Sequence, residues 1–187
     1  RTSFWDAFEP VRDEIPIYNG ALGPGNVRLT GQVADGWLPN LYPRPQFEEA
    51  MEWLETGADR TGRDVDDIDV AMYVLTSVHN DPDEAHRAAA EHVAYYLRDV
   101  PGYYDRAAEE AGFVDEVEAV RAAPTTEAGA RKISAAFLDV LALVGTPDEV
   151  RGRLGELREM GVDLPIVRAP GGVDRDWVER TLEVFAP

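Results

Sequence analysis

The sequence predicts an α/β fold built on a mostly parallel sheet. Three observations predict it. Helical and strand-like patterns alternate along the 187 residues. Val70–Val78 (VAMYVLTSV) is β-branched and almost continuously apolar, as a strand buried on both faces should be. Glycine/proline turns, Gly23-Pro24-Gly25 and Pro170-Gly171-Gly172, close two further strand candidates.

The elements follow in order. Ile15–Leu22 (IPIYNGAL) reads as a short apolar strand, and Asn26–Ala34 as a short helix presenting Val27, Val33, Ala34 and, less so, Leu29 to the sheet. Gly36–Leu41 is a weaker strand interrupted by Pro39. Gln46–Arg60 carries Phe47, Ala50, Met51, Leu54 and Ala58 at helical spacing, with Pro45 near its start. After Val70–Val78 and the turn Asn80-Asp81-Pro82, Asp83–Leu97 is helical, and two or three more helices fill the stretch to Leu143, including Arg131–Leu143. Asp148–Met160 is announced by Thr146 as N-cap, Pro147 at N1 and Glu149 at N3, the pattern of a capping box, and Gly161 suits its stop. Leu164–Ala169 is the fourth strand and Asp174–Phe185 the last helix.

Residues 1–187 read as one domain, with no repeat or internal boundary. The stretch of about 81–143 is much longer than a crossover needs, so it reads as a helical insertion before the last strand. Four strand–helix units curved as in a barrel leave two unpaired edges, whereas eight close the sheet. The count alone therefore suggests that part of the sheet is missing.

Composition narrows the function classes. There is no cysteine, which excludes disulfides, thiolate zinc sites and cysteine nucleophiles. Asp plus Glu number 36 against 18 basic residues, a net charge of −18 that repels nucleic acid. Lys132 is the sole lysine; every other basic residue is arginine. Abundant acids with almost no lysine are the pattern of cytoplasmic proteins from halophiles, and the expectation is a halophilic, cytoplasmic protein. An arginine-rich, high-GC bacterial sequence is the alternative. No apolar run approaches the ~18 residues of a membrane helix, so no membrane partner is expected.

Chemistry concentrates at the first turn. A strand ends at Leu22, and a helix opens near Asn26 after Gly23, Pro24 and Gly25. Small residues let a ligand approach the backbone, and a helix N-terminus offers free N–H groups to an anion. Asn19, at the strand end, adds a side-chain amide. Such a turn is also a common chain reversal, so the residues alone leave phosphate binding and plain turn both open.

A resemblance adds weight. Ile15–Trp37 (IPIYNGALGPGNVRLTGQVADGW) resembles the phosphate-turn segment of the luciferase-like monooxygenase superfamily, nearest its coenzyme F420 branch, which includes the methylenetetrahydromethanopterin reductases. The matching residues are Gly23, Pro24, Leu29, Gly31, Ala34, Asp35 and Gly36. Val144–Gly172 is similar to that family's Gly-Thr-Pro-capped helix and final barrel strand.

The resemblance implies units five to eight of a (β/α)8 TIM barrel, an oxidoreductase whose cofactor, F420 or alternatively FMN, carries hydride to or from a small-molecule substrate. It places cofactor-phosphate contacts on Ala21, Gly23, Pro24, Gly25, Asn26 and Val27, with Asn19 beside them. Strand ends facing the same mouth nominate Asn40, Thr76 and Arg168 for the substrate pocket. The N-terminal half, which surrounds the cofactor ring in that family, has no counterpart here, and no catalytic acid or base is assigned. A homodimer, or pairing with the missing half-barrel, would close the sheet; a non-catalytic half-barrel module is the rival reading.

Other signals are weaker. His79, His86 and His92 lack the spacing of a metal site and are expected to be solvated, and Asp64–Asp69 lacks the glycine and twelfth-position acid of a calcium loop. Tyr95, Tyr96, Tyr103 and Tyr104 are expected to pack the insertion against the sheet or to shape a pocket.

Overall fold

The computed structural model describes residues 12–100, 102 and 104–186, so Tyr103 and the ends of the 1–187 span lie outside the described residues. Five parallel strands form one sheet: β1 (Tyr18–Asn19), β2 (Gly36–Trp37), β3 (Asp69–Val78), β4 (Ala142–Gly145) and β5 (Leu164–Arg168). The helices are α1 (Pro24–Val33), α2 (Phe47–Asp59), α3 (Pro82–Asp99), α4 (Asp105–Glu110), α5 (Val114–Arg121), α6 (Thr126–Ala130), α7 (Ala135–Leu141), α8 (Pro147–Glu159) and α9 (Arg175–Phe185).

β3 organises the sheet because it is longer than any neighbour. β2 pairs with its first residues, β5 with Ala71–Leu75, and β4 with Leu75–Val78. The N–H groups of Asp69, Tyr73 and His79 donate to Asp35, Pro39 and Gly145, so β2 and β4 share one edge of β3 and β5 holds the other.

One strand departs from expectation. The helix expected over Arg131–Leu143 is only α7, and Ala142–Gly145 is extended. Its pairing satisfies the backbone groups of β3 that project past β2. The insertion also carries four short helices, α4 to α7, where two or three were expected. The first strand is shorter than Ile15–Leu22: only Tyr18–Asn19 pairs, with Gly36–Trp37.

The two faces of the sheet differ. Val70, Met72 and Val74 pack into a core with Trp37, Phe47, Leu54, Val150, Leu157 and Val184, which α2, α8 and α9 bring over that face. Register puts Leu164, Ile166 and Arg168 beside Ala71, Tyr73 and Leu75 on the opposite face. There Tyr73 is 39% exposed and Leu164 51%. A closed barrel buries this face in its interior. A second core gathers Leu41 and Leu75 with α3, α5 and α7 through Val93, Leu97, Val117, Val120, Phe137 and Leu138. It fastens the insertion to the end of the sheet.

α1 and α2 meet through glycines. A β-carbon on Gly31 would collide with the Leu54 carbonyl, and one on Gly57 with the Arg28 carbonyl. The Leu-x-Gly pattern is therefore a packing requirement. Asp35 is structural too, accepting the Ile17 N–H at 2.7 Å and anchoring the entry to β1. At α8 the Glu149 carboxylate accepts both the N–H and the hydroxyl of Thr146 at 2.8 Å, the expected cap. These bonds hold the Glu149 carboxyl below its ordinary pKa.

Candidate functional site: an anion turn and a polar row at the strand ends

Gly23 is the N-cap of α1, in extended conformation, with no side chain capping the helix and no acidic residue in the first turn. Pro24 has no N–H. The first helical bond is from Val27 N–H to the Gly23 carbonyl, which leaves the N–H groups of Gly25 and Asn26 without an intrahelical acceptor. β-Carbons at Gly23 and Gly25 would meet nothing within 4 Å, so the backbone lies open to a ligand.

The turn is braced from behind. Ala21 is buried, and its carbonyl accepts the Trp37 indole N–H at 2.8 Å. Val27 is fully buried in the core. The Asn19 amide donates to the Thr30 hydroxyl at 2.7 Å, and that hydroxyl donates to the Asn26 carbonyl at 2.8 Å. Asn19, Ala21 and Val27 thus shape the turn from within, while Gly23, Pro24, Gly25 and Asn26 present its outer surface.

In front of the turn is a cavity of about 330 Å³, lined by Gly23, Pro24 and Asn26 on one side and by Arg106, Ala107 and Glu110 of α4 on the other. Arg106 pairs with Glu110 at 2.8 Å and is otherwise exposed. Sequence reading missed Arg106 because it lies far along the chain, inside the insertion. Its single signal was a basic residue in an acid-rich stretch.

Two of the pocket candidates come together. The Asn40 amide donates to the Tyr104 hydroxyl at 3.0 Å. Tyr104 meets Tyr96 edge-on at 4.9 Å, and Arg168 donates to the Tyr96 hydroxyl at 3.0 Å. Asn40 and Arg168 are therefore the two ends of one polar–aromatic row. Thr76 is not in it: the residue is fully buried, and its hydroxyl donates to the Val74 carbonyl at 3.0 Å.

The histidines correct an expectation. His79 and His86 are half-buried, but His92 is only 6% exposed. Its Nδ1 accepts the Gly171 N–H at 2.9 Å, and its Nε2 is buried without a partner. Burial, reinforced by Arg168, lowers its pKa to about 4. Among the described residues no group of side chains has the arrangement of a metal centre, and no helix is long and apolar enough to cross a membrane.

Comparison with known proteins agrees with this architecture. The luciferase-like monooxygenase family model matches residues 3–164. A 5,10-methylenetetrahydromethanopterin reductase from Methanolobus tindarius is 32% identical over 168 residues, covering 87% of this chain and 51% of that protein. The corresponding reductase from Methanopyrus kandleri is 33% identical, covering 87% and 47%. The structure of the coenzyme F420-dependent tetrahydromethanopterin reductase from Methanopyrus kandleri superposes with a TM-score of 0.68 at 28% identity, over 91% of this chain and 48% of that one. An F420-dependent secondary alcohol dehydrogenase shares the fold at the same TM-score and 17% identity. The chain spans about half the length of the relatives it matches. Fold, motif order and family match agree: this α/β chain, with the parallel sheet of a half barrel, belongs to the luciferase-like monooxygenase family.

Proposed function

We propose that the chain holds the phosphate of coenzyme F420, or alternatively of FMN, as the C-terminal part of an oxidoreductase acting on a small molecule. The observation that carries the reading is the open N-terminus of α1 facing Arg106 across the cavity. The Gly25 and Asn26 N–H groups suit two phosphate oxygens, and the positive end of the helix favours the charge. Arg106 would leave Glu110 for the phosphate, exchanging a solvent-exposed ion pair of small net value for a bidentate one. When bound, the cofactor supplies the hydride chemistry, and the chain supplies position and electrostatics. F420 stands first because several matched relatives are F420-dependent by name.

Calorimetry with F420 and with FMN tests the reading. The expected result is saturable binding of at least one, weakened about tenfold or more by Arg106→Ala, the loss of ~1.4 kcal/mol. Binding of neither by this chain alone overturns it.

The uncovered face around Tyr73 and Leu164 favours a second element of the reading: residues 1–187 act as one unit that closes its sheet against a matching half-barrel, either an N-terminal half or a second copy. Light scattering separates a dimer from a monomer. The alternative of a non-catalytic, self-assembling module predicts a dimer that binds no cofactor. The cytoplasmic, salt-adapted setting inferred from the charge belongs to the same proposal.

A further inference from the structure

A second cavity, of about 340 Å³, lies between α3 and the loop after β5. Glu91, His92, Tyr95 and Tyr96 line it from the helix, and Arg168 and Gly171 from the strand end and loop. Its volume is within the range of small-molecule sites. Tyr95 and Tyr96 stand edge-to-face at 5.5 Å, which gives the cavity an aromatic corner.

The polar groups are asymmetric. The Arg168 guanidinium lies over the Tyr96 ring at 5.8 Å and donates one N–H to its hydroxyl; no carboxylate pairs with it among the described residues. Glu91, the single acid on the wall, is held by Arg87 at 2.9 Å. His92 is neutral near pH 7, and because its Nδ1 accepts the Gly171 N–H, its proton is on Nε2. That Nε2–H is buried with no acceptor, a state that costs free energy unless something satisfies it. In a chain of net charge −18, a cavity with a guanidinium on its wall that no carboxylate pairs with among the described residues is a local exception.

We infer that this cavity binds a small planar carboxylate, its ring against Tyr95 and Tyr96 and its carboxylate on Arg168. A carboxylate takes a guanidinium in bidentate fashion, and a flat body matches an aromatic corner. Binding here is independent of the phosphate turn. Only the further identification of this ligand as the substrate of the oxidoreductase rests on the proposed function.

The test is a titration of the chain, without cofactor, with sodium benzoate, followed through imidazole nitrogen resonances. The chain has three histidines, so His92 is assigned by elimination with His79→Gln and His86→Gln. Saturable shifts confined to His92, with benzyl alcohol at least tenfold weaker, are expected. Arg168→Gln, at an exposed residue, should raise the benzoate midpoint at least tenfold, and Tyr95→Ala, also exposed, should raise it severalfold. Absence of a saturable shift, equal response to the uncharged alcohol, or an unchanged midpoint in Arg168→Gln overturns the inference. A failed phosphate turn would leave these readouts unaltered, so the two claims fail separately.

Discussion

The Asn19 side-chain amide donates to the Thr30 hydroxyl at 2.7 Å, joining the end of β1 to the second turn of α1. Because the same hydroxyl donates to the Asn26 carbonyl, the bond fixes the position of the turn at Gly23–Asn26. Thr30 is fully buried. Thr30→Val keeps the shape but leaves the Asn19 amide without its acceptor. We predict a loss of ~1–3 kcal/mol in urea unfolding, while Thr30→Ser retains most of the stability.

Glycines separate packing from binding. Gly31→Ala drives a β-carbon into the Leu54 carbonyl and should cost ~1–3 kcal/mol, read as a lower urea midpoint. Gly25→Ala meets open space and should change stability by no more than ~0.5 kcal/mol. In the same variant cofactor affinity should fall, because the added methyl obstructs the approach to the N–H groups. Equal effects on stability from both substitutions would contradict the assignment.

Acid should expose the buried histidine. His92 titrates at 6.5 when unfolded and at about 4 in the fold, so between those values the unfolded chain binds the extra proton. Its contribution to stability is complete above pH 6.5 and is lost as pH falls toward 4. Allowing for partial water access, the loss is on the order of 2 kcal/mol. Thermal melts across this window should show a shallower decline for His92→Gln than for the native chain.

Salt should stabilise the protein. A net charge of −18 repels itself, and screening shortens that repulsion from a reach of ~10 Å at 0.1 M to ~3 Å at 1 M. The melting temperature should therefore rise between about 0.1 and about 3 M KCl. A flat response contradicts the salt-adapted reading.

Much of the fold was legible because its signals are local. The continuous run of Val70–Val78, the helical spacing in Phe47–Asp59 and the Thr146/Glu149 cap each specify an element from a few neighbouring residues. β4 was not legible: Ala142–Gly145 is extended because β3 leaves a free edge there, a fact that no window around residue 142 contains. The burial of His92 is equally nonlocal, since its partner Gly171 is 79 residues away. The turn at Gly23–Asn26 was legible as a motif, but Arg106 opposite it became visible only when the insertion was folded back. Asn40 and Arg168 were nominated separately as strand ends; Tyr96 and Tyr104 are what join them.

The turn after β1 is proposed to hold a cofactor phosphate. The most direct measurement compares FMN with riboflavin, which keeps the ring and lacks the phosphate, by following backbone amide resonances. Saturable shifts at Gly25 and Asn26 are expected with F420, with FMN or with both, and none with riboflavin. Equal shifts from FMN and riboflavin, or no shift at these two amides with either cofactor, would contradict it.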